Sequence, residues 1–347
     1  MKKKVMWQLV SIAIALLTIL AVFSQTKNLS FSSLKESLAG ANPFYLILAV
    51  LSMLGFIVFE GEAILVIIRS TGYRRSHWQG LLYSSSDIYF SAITPSASGG
   101  QPASAFFMTK SSVPLSVTTA ALLLNLVMYT AAILFIGAVC IIFQPFTFLN
   151  FHIPGRIFII VGYIVIAFLG NTFWLMLKKK KLLEAMVVKC LRFLKKIKIL
   201  RKTDNKVIKL KKKMDSYAEA ARQMSGQTKT LLLVFLFNLL QRLSQLMVPV
   251  FMYLALGGKK DNVFTLWVTQ SLVTIGSNCM PIPGGMGVTD YLMLDGFGKI
   301  MTQDAAAQLE LLSRSLSFYI CVLICGITML IGYIQIIRRE KKNDRIL

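Results

Sequence analysis

Charge is scarce in this 347-residue sequence: 15% of residues are Asp, Glu, Lys or Arg, against 55% hydrophobic. Soluble domains carry about 25% charged residues, so a water-facing fold lacks the surface it needs. Only two histidines occur, His77 and His152, and the five cysteines include no CxxC pair. That excludes the common zinc spacings, and no metal or other cofactor is expected. HExxH, P-loop and GxSxG patterns are missing too, which removes the catalytic classes they mark. Acidic residues are few, 15 against 38 Lys plus Arg, for a formal net charge of +23.

What is present is a series of apolar runs: Trp7–Phe23, Pro43–Ile68, Leu115–Phe143, Ile157–Leu177, Leu231–Leu256 and Leu311–Ile337. A membrane span needs ~20 such residues, so an all-α integral membrane protein with about six spanning helices is expected, as one membrane domain over 1–347. Two further stretches, Gln79–Lys110 and Val263–Ile300, are semi-apolar and broken in the middle. Read as re-entrant hairpins entering from opposite sides, they place both termini in the cytoplasm of a bacterial plasma membrane. Segments then predicted inside hold 30 Lys and Arg residues and those outside hold 6, as the positive-inside bias requires. The excess charge therefore records sidedness, and no nucleic-acid partner is expected. The segment 178–229 carries 18 basic residues against four acidic ones. It reads as a basic, amphipathic, cytoplasmic helical insertion, suited to an anionic inner leaflet or simply solvated.

The first break is Thr94-Pro95-Ser96-Ala97-Ser98-Gly99-Gly100-Gln101-Pro102; the second is Pro281-Ile282-Pro283-Gly284-Gly285-Met286-Gly287, with Asp290 in the next turn. Proline and paired glycine oppose a continuous helix. Irregular backbone at membrane depth is tolerated only against protein or a water-filled cavity. Opposed broken segments in corresponding halves, as an inverted repeat provides, point to a transporter's central site. A helix N-terminus after each Gly pair would aim amide donors at an anion. Substrate contacts are therefore expected from Thr94, Pro95, Ser98, Gly99, Gly100, Gln101 and Pro102, and from Pro281, Pro283, Gly284, Gly285, Gly287 and Asp290.

Ionisable residues inside spans are expensive and usually face the bundle interior. Arg242 lies mid-run in a polar stripe with Asn238, Gln241 and Gln245; Arg314 shares a face with Glu310 and Ser317. Both arginines are expected to contact a lipid phosphate, balanced by Glu60 or Glu62, Asp87 and Asp290. Glu60 and Glu62 stand ~200° apart on a helix, so only one can face a cavity. Buried ion pairs that merely fix packing are the alternative.

The motifs TPSASGGQPA (Thr94–Ala103) and PIPGGMGVTD (Pro281–Asp290), with the basic loop between them, resemble the lysylphosphatidylglycerol synthase transmembrane region, or flippase-like domain, family. The resemblance covers about residues 5–337. It implies a helical bundle with re-entrant elements that moves aminoacylated or other charged lipids between leaflets, with a role in envelope lipid composition and resistance to cationic antimicrobials. Two-part members add a C-terminal domain that transfers lysine to phosphatidylglycerol. This sequence ends about ten residues past its last apolar run, so a stand-alone member without that domain, and no enzyme by itself, is expected. The cargo would be a membrane phospholipid or a polyprenyl-linked lipid. The rival readings are the membrane component of a phosphatidylglycerol lysyltransferase system, served by a separate aminoacyltransferase, and a structural scaffold.

Overall fold

The structure, a computed structural model, describes residues 38–94, 97–179, 181, 184–185, 189, 204–278 and 287–343. The apolar run Trp7–Phe23 therefore lies outside the described residues, as do Pro95 and the second break from 279 to 286. Every regular element among the described residues is helical.

Helix α1 (Pro43–Ser70) opens with proline, and the Asn42 side chain accepts the Phe44 N–H at 3.0 Å. Its first-turn donors thus have a partner before the chain enters the apolar layer. Helix α2 (His77–Ile93) starts from a Ser76–Gln79 capping box, and α3 (Gly100–Lys110) runs back beside it. Then come α4 (Leu115–Phe143), a short α5 (Pro145–Asn150), α6 (Ile153–Lys178), α7 (Asp204–Ser225) and α8 (Thr228–Ala255). A second hairpin follows, α9 (Val263–Ser277) with α10 (Val288–Phe297). Finally α11 (Gln303–Arg314) passes through a π-helical turn, Ser315–Ile320, into α12 (Cys321–Asn343).

Five of these helices are long and apolar enough to cross a membrane. The last begins earlier than its hydropathy suggests, at Gln303 rather than Leu311. The Thr302 side chain caps it, and Ala306, Leu309 and Leu312 bury one face, while Gln303, Asp304, Gln308 and Glu310 make 303–310 too polar to register as an apolar run. Helix α6 shows what surrounds the bundle: Ile153, Ile157, Ile160, Ile164 and Phe168 are exposed in succession along it. An apolar stripe of that length belongs against lipid.

Side-chain and backbone bonds fix the direction of each helix. The Asn42 N–H donates to the Ala255 carbonyl at 2.8 Å, while Gln223 and Gln227 donate to the Ser70 carbonyl at 3.3 Å each. Helices α1 and α8 are therefore antiparallel. The Ser70 end also holds the base of the α2–α3 hairpin and the C-terminal part of α12, through Trp78 Nε1 to Gln335 Oε1 at 3.1 Å. The Ala255 end holds the base of the α9–α10 hairpin. There Gln144 bonds Thr265 at 3.3 Å and the His152 N–H donates to Asp295 Oδ2 at 3.0 Å. The two hairpins thus enter the bundle from opposite ends. Arg69, Arg74, Arg75, Lys110, Lys178, Arg222 and Lys229 gather at the first end; Arg156, Lys259, Lys260 and Lys299 are at the other.

An internal repeat explains this opposition. Helices α1, α2, α3 and α4 start at Pro43, His77, Gly100 and Leu115; α8, α9, α10 and α11 start at Thr228, Val263, Val288 and Gln303. Each second member begins about 185 to 188 residues after its counterpart, and α1 and α8 each have 28 residues. Because those two helices run antiparallel, the repeat is inverted, the arrangement that encloses a site at the repeat interface.

Helix α7 packs on the protein. Tyr217, Ala220, Ala221 and Met224 are buried against the bundle, and the Tyr217 hydroxyl donates to the Met176 carbonyl at 3.1 Å. The apolar face that would have suited a leaflet is covered there, so only the polar face of this half looks outward.

Candidate functional site

Between the two hairpins lies a cavity of about 600 Å³, within the usual range for ligand sites of roughly 300–1,000 Å³. Its polar wall includes Glu60 from α1, Asp87 from α2, Gln101 from α3, Arg242 and Gln245 from α8, Gln270 from α9 and Arg314 from α11. Its apolar lining includes Val165, Ile166, Leu169 and Phe173 from α6, with Phe56 from α1, Ile88 from α2 and Leu126 from α4. Leu169 is next in sequence to Phe168 of the exposed α6 stripe, so this part of the lining adjoins the lipid-facing surface.

Arg242 is the unusual group. It is 6% exposed, and its guanidinium lies 4.2 Å from the Tyr129 ring centre and 5.2 Å from that of Phe56. Its Nη1 donates to the neutral Gln245 Oε1 at 2.6 Å, and its Nε is buried without a partner. Among the described residues it forms no ion pair. A cation at mid-membrane costs ~2.5–3.5 kcal/mol on insertion scales, and cation–π contacts return ~0.5–2 kcal/mol. The packing reading, a buried Arg–carboxylate clamp, does not describe this residue.

The carboxylates are held by neutral donors. Gln241 Nε2 donates to Glu60 Oε2 at 2.9 Å. Ser91 Oγ donates to Asp87 Oδ1 at 3.1 Å and Gln101 Nε2 to Asp87 Oδ2 at 2.8 Å. Glu62 points elsewhere: it pairs with His77 Nδ1 at 2.5 Å at the end of the bundle. Of the two glutamates, Glu60 faces the cavity and Glu62 does not, as the ~200° between them requires. Because the His77 side chain is largely exposed, the pair belongs to a class worth ~0–1 kcal/mol. Glu62→Gln should therefore leave the melting temperature in detergent nearly unchanged, whereas Glu60→Ala, which strips Gln241 of its acceptor, should lower it clearly.

The first break builds scaffolding as much as lining. Thr94 Oγ1 accepts the Gly99 N–H at 2.9 Å and donates to the Phe90 carbonyl at 2.5 Å. Ala97 lines the cavity in a left-handed conformation, φ 52°. Gly100 presses on α2 so closely that a Cβ would stand 2.0 Å from Asp87 Oδ1. Gln101 reaches the cavity; Ser98 and Pro102 are exposed away from it.

In the second hairpin, Pro281, Pro283, Gly284 and Gly285 lie outside the described residues. Gly287 has φ +82° and donates its N–H to Asp290 Oδ2 at 2.8 Å. The other Asp290 oxygen forms an ion pair with Arg314, and Glu310 reaches the same carboxyl. The N-terminus of α10, expected to present its donors to a bound anion, is thus occupied by a carboxylate of the chain itself. At α3 the Thr94 hydroxyl accepts the Gly99 N–H, and Asp87 lies against Gly100. The cationic groups in the cavity wall are the guanidiniums of Arg242 and Arg314.

Tyr129 carried no signal in the sequence, being an aromatic in an apolar run. The structure places it against Arg242 and binds its hydroxyl to Asn278 Nδ2 at 3.1 Å. Ser91, Gln270 and Asn278 likewise line the cavity although nothing in their local spacing marks them. Among the described residues no three His, Cys, Asp or Glu side chains converge as metal ligands would.

None of the curated proteins compared matches the chain. A family model described as the lysylphosphatidylglycerol synthase TM region matches residues 8–325, a span that contains both breaks, the inverted repeat and every cavity-lining residue named above. The chain therefore belongs to the lysylphosphatidylglycerol synthase transmembrane family, as a multi-pass α-helical membrane protein.

Proposed function

We propose that the chain moves a charged lipid between leaflets, the headgroup passing through the cavity while the acyl chains stay in the bilayer. The observation that carries this reading is Arg242: a guanidinium more than nine-tenths buried in the wall of a mixed polar and apolar cavity, in no salt bridge among the described residues and with an Nε that has no hydrogen-bond partner. A lipid phosphate supplies the missing acceptor, and the α6 wall suits the first methylenes of its tails. The cargo class is an anionic, zwitterionic or aminoacylated phospholipid, or a polyprenyl-linked phosphate. The hairpins act as re-entrant elements that close the cavity alternately towards the two faces, an exchange the inverted repeat favours. The basic end, holding Arg69, Arg74, Arg75 and Lys178, is cytoplasmic, in a bacterial plasma membrane.

The test is reconstitution into liposomes containing tail-labelled fluorescent phosphatidylglycerol, quenched from outside with dithionite. Lipid movement brings nearly all of the label within reach, whereas empty liposomes lose only their outer-leaflet signal. Proteoliposomes indistinguishable from empty ones, with aminoacylated and zwitterionic probes behaving the same way, would refute the reading.

A further inference from the structure

Glu60, Asp87 and Arg242 share the interior of this cavity, and no ion pair among the described residues joins them. Glu60 is 7% exposed and Asp87 6%. They are close enough to feel each other's charge. Their hydrogen-bond partners, Gln241, Ser91 and Gln101, are all neutral. The other groups facing them are Arg242 from α8, Cys321 and Cys325 from α12, Tyr129 from α4, and Arg314 from α11, the last already paired with Asp290. An acidic pair alone would say little. Here Arg242, a side chain more than nine-tenths buried whose Nε has no hydrogen-bond partner, lines the same cavity and marks it as a ligand site.

Charge counting then constrains what can bind. With both carboxyls ionised, Glu60, Asp87 and Arg242 together carry one net negative charge. An anionic headgroup at Arg242 would raise that to two, inside a low-dielectric layer where uncompensated charge is costly. A cation must enter with the anion or be present before it. The amides of Gln241 and Gln101 turn N–H groups, not oxygens, towards the carboxyls. That leaves too few oxygen ligands for a hard metal ion, which takes six or so. A proton needs only one carboxyl oxygen.

We propose that Glu60 and Asp87 form one proton-binding site coupled to the anion site at Arg242, so that an anionic headgroup is taken up together with a proton. This rests on the lipid-translocation reading and supplies a source of energy for it. Linkage makes the effect reciprocal: lipid binding draws a proton in, and low pH strengthens lipid binding. A transmembrane pH difference would then drive lipid towards one leaflet.

The experiment uses the purified full-length chain in weakly buffered detergent, mixed with dioctanoyl-phosphatidylglycerol while a dye follows pH. The wild type should take up about one proton per lipid bound, with affinity falling up to tenfold for each pH unit of increase above the titration of the pair. The double variant Glu60→Gln/Asp87→Asn should show no uptake and an affinity independent of pH. Glu60→Gln alone, which keeps its size and a partner for Gln241, serves if the double variant is not monodisperse. Wild-type protein without lipid-linked proton uptake, uptake unchanged in the amide variants, or uptake that follows sodium rather than pH would each overturn the proposal. Lipid movement in liposomes without pH dependence would sink the coupling and spare translocation. Proton-linked binding without lipid movement would do the reverse.

Discussion

Arg242→Ala should slow lipid movement by ~100-fold while leaving the folded protein at least as stable as before. Truncating one partner of a buried, hydrogen-bonded charge pair costs ~2–5 kcal/mol, and ~1.4 kcal/mol is a factor of ten. The loss therefore falls on the lipid-bound state, where the phosphate would be left unpaired. The unliganded state loses two ring contacts and one bond to Gln245, but it is also relieved of a buried cation that makes no salt bridge among the described residues. Arg242→Lys should restore part of the rate: it returns the charge but neither the planar fork nor the flat face that lies on Tyr129. Arg314→Ala should behave differently. It strips Asp290 of its ion pair at the start of α10, and stranding a partly buried carboxylate destabilises the fold itself. Quench kinetics and melting temperatures measured on the same preparations separate the two cases. An Arg242→Ala variant that unfolds, or one that moves lipid at the wild-type rate, would show that the residue serves packing.

The legible parts of this fold were those where one residue type settles the matter locally. Leu115–Phe143 is bracketed by Pro114 before it and Gln144-Pro145 after it, and α4 has those bounds. Pro95, Gly99-Gly100 and the Pro281–Gly287 turn marked the hairpins because nothing else explains such residues between semi-apolar arms. Arg242 stood out because a charge in a span needs a reason. Facing was harder. Glu60 and Glu62 differ by two positions in one helix, and only Gln241 on α8 and His77 beside α2 decide which of them turns inward. Tyr129 could not be singled out, because an aromatic in an apolar run looks the same whether it meets lipid, core or a guanidinium. The polar start of α11 escaped notice because the burial of Ala306 and Leu309 depends on neighbours distant in sequence. The inverted repeat shows in the spacing of helix starts, which hydropathy locates only to within a turn or so.

Gly162→Ala should be among the most damaging single changes in the chain, costing ~3 kcal/mol or more, although it adds one methyl group. A Cβ at Gly162 would stand 2.2 Å from the Ile275 carbonyl oxygen and 3.1 Å from the Gly276 Cα. Both are backbone atoms at the C-terminal end of α9, so no rotamer change can make room. Small residues allow this approach of helices in lipid, where close packing replaces the hydrophobic drive. Gly276 answers from the other side: its own Cβ would meet the Ile159 backbone nitrogen at 3.3 Å. The C···O separation tolerated in such crossings is ~3.3–3.6 Å, so α6 and α9 would have to part by more than an ångström. Overpacking that flexible side chains can absorb costs ~1–3 kcal/mol; a backbone clash lies at or beyond the top of that range. The displaced helix carries Gln270, Thr274 and Asn278 into the cavity wall and, through Asn278, holds Tyr129 beside Arg242. Lipid movement should fall with stability for that reason. Phe168→Ala, five positions before the cavity-lining Phe173 and facing lipid with 69% of its surface exposed, removes the whole phenyl ring yet should change the melting temperature little. If the two variants melt alike, the close crossing of α6 and α9 does not hold the second hairpin in place.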